Sequence, residues 1–156
     1  MTGSSRTPGA LSRLLGRLRG TGGAPRPGSA DGEPTIVYAP DLDGDPDPGE
    51  VVWTWVPYVD DPTQGKDRPV LVIGWSGDEL AAVPLSSKDH GDRPDGDEWI
   101  EVGRGGWDRE GRTSYADAGR LLHVAPREVR REGAILARSR FDAVVHRVQV
   151  LHRWRG

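Results

Sequence analysis

Between Gly49 and Ser87 three apolar runs alternate with two groups of breakers, and the rest of the chain is arranged around that rhythm. Val51–Val59, Pro69–Trp75 and Leu80–Leu85 are rich in Val, Leu, Ile and Trp, the composition of β-strands. Asp60-Asp61-Pro62 with Gly65 fills the first gap and Ser76-Gly77-Asp78 the second, so the stretch predicts a β-meander. The two-residue period of a strand puts Val51, Trp53, Trp55 and Pro57 on one face of the first run and Val52, Thr54, Val56 and Tyr58 on the other. Both faces are largely apolar, the pattern of a strand covered on both sides: one face packs inward, and the other meets a second subunit or a C-terminal helix.

Downstream, Glu98–Val102 predicts a short strand, and Ser114–Asp117 with Arg120–Val124 a strand pair. Phe141, Val144, Val145, Val148 and Leu151 then fall at i, i+3, i+4, i+7 and i+10, the stripe of an amphipathic helix. Ser139 is its expected N-cap, with Asp142 as the N3 acid. The other end of the chain is different. Residues 1–33 are dominated by Gly, Ser, Pro, Thr and Arg, as in flexible segments. Leu11, Leu14, Leu15 and Leu18 offer one helical stripe there, but Gly16 interrupts it and it is too short to be stable alone in water. A flexible tail is therefore expected, the alternative being a helix that docks on a partner, RNA or a membrane surface. Asp41–Glu50 carries five acids and no base. Its alternating aspartates suggest a calcium loop, yet the twelfth position is Val52 and Pro46 and Pro48 forbid the flanking helices. A solvated acidic linker is the expectation.

Composition narrows the class. At 156 residues and 35% apolar content the chain has room for one modest core, so one domain plus a tail is expected. Six tryptophans beside one phenylalanine, with 13 prolines and 22 glycines, suit short strands and many turns. With no cysteine, a disulfide framework and a thiolate metal site are excluded, and a cytoplasmic address fits. No apolar run reaches the ~20 residues of a membrane helix. The net charge of −3 hides a division. Residues 34–119 hold seven basic against 19 acidic residues, and 120–156 hold nine against three. A nucleic-acid surface would draw on that basic end.

Two polar groups stand at strand ends, where a rigid sheet aims side chains into a groove: Arg68, before Pro69, and Ser86, after Pro84-Leu85. They lie within three blocks, Gly49-Glu50-Val51-Val52-Trp53, Lys66-Asp67-Arg68-Pro69-Val70-Leu71-Val72-Ile73 and Val83-Pro84-Leu85-Ser86-Ser87. In order and approximate spacing these resemble the signature blocks of the PemK/MazF toxins of type II toxin–antitoxin systems, over about Gly49 to Val150. The resemblance implies an α+β, mainly β fold: a small SH3-like antiparallel barrel with a C-terminal helix over 49–156, behind a tail over 1–48. It also implies a homodimer that cuts single-stranded RNA without a cofactor and is silenced by a cognate antitoxin. Arg68 matches the family's Arg-Pro arginine, and Ser86 the position where many members carry threonine, so these two are the expected catalytic pair. The Ala116-Asp117 step is also similar to a segment of those toxins.

The chemistry agrees with that assignment. A ribonuclease can use RNA's own 2′-hydroxyl as nucleophile, leaving a 2′,3′-cyclic phosphate and a 5′-hydroxyl. It must then place that nucleophile, stabilise charge on phosphorus and move protons. The planar fork of arginine holds two phosphate oxygens, and a serine hydroxyl can donate to a third. Ser87 and Lys88 can reach the same phosphate, His90 has the side-chain type suited to proton transfer near neutrality, and Trp53 and Asp117 complete the substrate-binding candidates. Asp108 and Glu50 are further possible proton acceptors or arginine partners. Gly103-Arg104-Gly105-Gly106 reads as turn glycines, because no amphipathic helix follows it as a dinucleotide fingerprint requires. No nucleophile elbow, P-loop or zinc spacing occurs. A gyrase-inhibiting toxin of the related CcdB kind and a catalytically silent SH3-like binding module are the other readings open to the sequence.

Overall fold

The computed structural model describes residues 33–42, 44–89 and 96–153, and the backbone of two short pieces, β1 (Arg13–Leu14) and β2 (Gly16–Arg19). Those pieces are extended and paired with each other, where the leucine spacing offered a helix; Leu11 and Leu15 lie outside the described residues.

The remaining strands are β3 (Thr35–Ile36), β4 (Glu50–Pro57), β5 (Gly65–Ser76), β6 (Glu79–Ser86), β7 (Trp99–Gly103), β8 (Ser114–Asp117), β9 (Leu122–Val124) and β10 (Arg131–Ile135), followed by α1 (Arg138–His152). They form one curled antiparallel sheet, a half-barrel in the order β10-β4-β5-β6-β8-β7, with β3 beside β5 and β9 beside β6. The expected meander is β4-β5-β6. β8 and β9, expected to pair with each other, instead share β6: β8 lies against Leu85 and Ser86, β9 against Leu80 to Ala82. A polar turn through Ala118-Gly119-Arg120 carries the chain from one to the other.

The meander divides at its prolines. β4 pairs with β5 from Gly65 to Leu71, whereas the β5–β6 ladder stops at Val70 opposite Pro84. Neither Pro69 nor Pro84 can donate a backbone hydrogen bond, so continuing the ladder is weakened at this point. Beyond it β5 stays with β4, and β6 turns to β8 at Leu85 and Ser86. The sheet opens between Arg68 and Ser86, two residues past the last pair on each strand.

Both faces of the meander are covered within the chain. On one, Val51, Leu71, Ile73, Ala81, Val83 and Leu85 pack with Phe141, Val144, Val145 and Val148 of α1. On the other, Val52, Val56, Val70, Val72, Leu80 and Ala82 pack with Val124 of β9 and half-buried Leu122 and Val129. Fully burying each such side chain is worth about 1.5–3 kcal/mol. The helix therefore takes one apolar face, and β9 with the following turn takes the other.

The helix starts differently from the capping pattern. Its N-cap is Ala137, with no side-chain cap bond, and Ser139 lies inside the first turn. Leu136 decides this: it is buried, its amide donates to the Gly49 carbonyl and its carbonyl accepts the Tyr38 hydroxyl at 2.7 Å. With that residue fixed, the first helical bond runs from Phe141 N–H to the Ala137 carbonyl. Asp142 pairs with Arg138 at 3.2 Å.

Residues 33–42 and 44–49, predicted as the end of a tail and an acidic linker, lie along the sheet. Thr35 and Ile36 pair with Trp75 and Gly74, and the Val37 amide donates to the Ile73 carbonyl. The Tyr38 ring meets Phe141 edge-on at 5.0 Å, with the Arg138 guanidinium 5.1 Å over it. Glu50 is fully buried, and its carboxylate accepts the Asp41 amide at 2.8 Å and the Asp47 amide at 3.3 Å. That carboxylate organises the acidic loop and is not in the opening between Arg68 and Ser86. Close approach of β3 depends on Gly74, since a Cβ there would stand 2.0 Å from the Thr35 carbonyl oxygen. Gly74→Ala is expected to cost about 1–3 kcal/mol and to speed hydrogen exchange at the Val37 amide. Unchanged protection there would show that the contact carries no energy.

Candidate functional site

The opening between β5 and β6 is a groove of about 610 Å³. Arg68, Ser86, Ser87, Lys88, Trp53 and Asp117 all line it, so the structure gathers these predicted residues at one place. His90 lies outside the described residues.

Arg68 is half-buried, and its side chain makes no hydrogen bond or ion pair among the described residues. Its neighbours are committed elsewhere. Asp67 meets Arg130 at 3.5 Å, and Thr54, its cross-strand partner on β4, gives its hydroxyl proton to the Glu128 carbonyl at 3.1 Å. Ser86 Oγ accepts the Lys88 amide at 3.1 Å, which leaves its own hydroxyl proton available to a ligand. A guanidinium with no partner among the described residues thus shares the groove with a hydroxyl whose acceptor side is already used. The combination suits an anion with several oxygens, such as a phosphodiester.

The wall opposite is built on Trp107. This residue is 4% exposed; its indole N–H donates to Ser114 Oγ at 3.0 Å, and its carbonyl accepts the Trp53 indole N–H, also at 3.0 Å. Trp53 is thereby fixed as a side of the groove. Gly105, two residues before Trp107, is sterically required: a Cβ there would stand 2.0 Å from the Trp107 ring, which agrees with turn glycines. Asp117 lines the groove while its Oδ1 accepts the Gly119 amide at 3.1 Å, so part of it serves the β8–β9 turn.

Five cationic and aromatic contributors escaped the sequence reading: Lys66, Arg112, Arg120, Tyr58 and Trp99. Arg120 reaches the Pro57 carbonyl, 63 residues away in sequence, and nothing local announces that. Asp108 was singled out alone, and its partner is Arg112, whose Nε lies 2.9 Å from Oδ2. The hydrogen bond from Arg112, helped by the Glu110 amide, outweighs burial and holds the Asp108 carboxyl below the usual range. That makes it a poor proton acceptor near neutrality. Burial, then the Asp89 and Glu101 carboxylates, push the Tyr115 phenol up. Among the described residues no three His, Cys, Asp or Glu side chains converge as a metal site.

A larger groove, about 980 Å³, lies between β4, β9 and residues 127–130 and contains none of the predicted site residues. Trp55, 42% exposed, belongs to that side. The smaller groove is the one lined by the predicted polar residues.

Comparison with known proteins points the same way. Residues 47–152 match the family model described as the PemK-like, MazF-like toxin of type II toxin–antitoxin systems. The chain is similar in fold to the Mycobacterium tuberculosis toxin MazF-mt6, with a TM-score of 0.51 and 13% identity over 69% of this chain and 99% of that one. An endoribonuclease in complex with its cognate antitoxin from a mycobacterial species gives a TM-score of 0.53 and 14% identity, over 71% and 98% of the two chains. A MazE–MazF structure from Deinococcus radiodurans gives 0.51 and 19%, over 70% and 98%. No curated protein matches the chain.

Proposed function

Because the chain belongs to the PemK-like, MazF-like toxin family of type II toxin–antitoxin systems, we propose that it is an endoribonuclease toxin that cuts single-stranded RNA in the groove between β5 and β6. The observation that carries this reading is the placing of Arg68, whose guanidinium has no partner among the described residues, in one groove with Ser86, whose hydroxyl proton is uncommitted among them. The RNA 2′-oxygen attacks the adjacent phosphorus, a 2′,3′-cyclic phosphate forms, and the bond to the 5′-oxygen breaks. Arg68 holds the non-bridging oxygens and is worth most when charge accumulates on them. Ser86 donates to one of the same oxygens, and Lys88 adds positive charge. One proton leaves the 2′-hydroxyl and another reaches the departing 5′-oxygen; His90 is the candidate carrier by side-chain type.

The bound antitoxin in the mycobacterial neighbour and the MazE–MazF pair from Deinococcus support a cognate antitoxin as partner, with the toxin acting as a homodimer in the cytoplasm. The test is incubation with a long, mixed-sequence single-stranded RNA in excess EDTA, with the new ends mapped. Cyclic phosphates and 5′-hydroxyls at a recurring sequence are expected. Intact RNA after incubation with folded protein would overturn the reading in favour of a toxin that binds a protein target.

A further inference from the structure

The groove holds a second arginine whose situation is the reverse of Arg68. Arg112 gives its Nε–H to Asp108 Oδ2 at 2.9 Å and an Nη2–H to Oδ1 at 3.5 Å. A guanidinium has five N–H donors, so among the described residues its outer edge remains unused. The pair is asymmetric: the Asp108 side chain is 9% exposed and that of Arg112 54%. The acid is sunk into the wall, and the cation stands in front of it on the lining of the groove.

The turn does not need this pair to hold its shape. Asp108 N–H donates to the Gly105 carbonyl, Gly111 N–H to the Asp108 carbonyl, and Glu110 N–H to Asp108 Oδ1, while buried Trp107 anchors the base. An ion pair added to so many constraints gains little stability where half of it faces water. What it does accomplish is to fix a planar cation in one orientation, which reduces the entropy lost when an anion binds.

We propose that Arg112 is a second phosphate-binding residue of the groove, holding the RNA backbone away from the scissile phosphate, and that Asp108 is its positioning residue. This rests on the ribonuclease reading of the same site. The two arginines then divide the work: Arg68, untethered, follows the charge that develops on the reacting phosphate, and Arg112, tethered, binds substrate and transition state alike. Uniform binding of that kind appears in KM and not in kcat.

The experiment uses the full chain and a short, mixed-sequence, 2′-O-methylated single-stranded RNA, which lacks the nucleophile. Its affinity is measured over ~50 to ~300 mM salt for the wild type, Arg112→Ala, Arg112→Gln, Arg112→Lys and Asp108→Asn. Arg112→Ala and Arg112→Gln are expected to bind about tenfold more weakly, with the log–log salt slope shallower by about 0.7. Arg112→Lys restores the slope but not the full affinity, and Asp108→Asn keeps the slope with a smaller loss. Cleavage of the unmodified RNA, run in parallel, should show raised KM and unchanged kcat in the Arg112 variants. Folded Arg112→Gln with wild-type affinity and slope would overturn the proposal while leaving the ribonuclease reading intact. A wild type that neither binds nor cleaves would overturn both.

Discussion

Arg68→Ala is expected to lower kcat for RNA cleavage by about a hundred- to a thousandfold, the range found when one preorganised donor to a developing charge is removed. KM should change far less, because the lost interaction is strongest in the transition state. The protein should not lose stability. Arg68 has no partner among the described residues, so its removal breaks no bond and relieves a half-buried cation. Activity and stability therefore move independently, which is the mark of a group kept for a ligand. Arg68→Lys should fall between, retaining charge and losing the two-pronged geometry. Single-turnover cleavage beside a thermal melt checks both halves. Wild-type turnover in Arg68→Ala would remove the central assignment, and a large fall in the melting temperature would make Arg68 a structural residue instead.

Trp107→Ala should have the largest effect on folding, about 3–5 kcal/mol from the cavity alone. The change also orphans Ser114 Oγ and exposes the backbone acceptor that fixes Trp53. Against a typical total of about 5–15 kcal/mol, that leaves a marginal protein. Trp107→Phe keeps most of the ring volume and loses the indole donor, so about 1–2 kcal/mol is expected. Urea denaturation of the two variants separates volume from hydrogen bonding. Near-equal midpoints would mean that the indole N–H, and not the buried ring, anchors the turn.

The meander was legible because its period and breakers are local: Val51 to Tyr58 alternate between two apolar faces, and Ser76-Gly77-Asp78 is a turn in any context. The sequence placed Arg68 and Ser86 at strand ends; Ser86 does end β6, whereas Arg68 lies inside β5, which begins at Gly65, and both residues line one groove. What escaped was long-range. β8 and β9 are neighbours in sequence, yet each is held by β6, and no local pattern distinguishes that from a hairpin. The helix cap failed because Leu136, tied to Gly49 and Tyr38, outweighs what Ser139 offers. Glu50 looked like one acid in a solvated run, although burial with two amide donors makes it the centre of a loop. Asp108 was named as a possible arginine partner, but nothing in the sequence singled out Arg112 as that arginine.

The two residues of β3 lie outside the family match, which begins at residue 47. They cover the part of β5 that β4 does not reach, Gly74 and Trp75. A chain trimmed to the family boundary would keep the groove but leave that stretch of backbone donors and acceptors unpaired. Such an open edge recruits strands from other molecules, so the shortened protein would be the one that aggregates or swaps segments on storage.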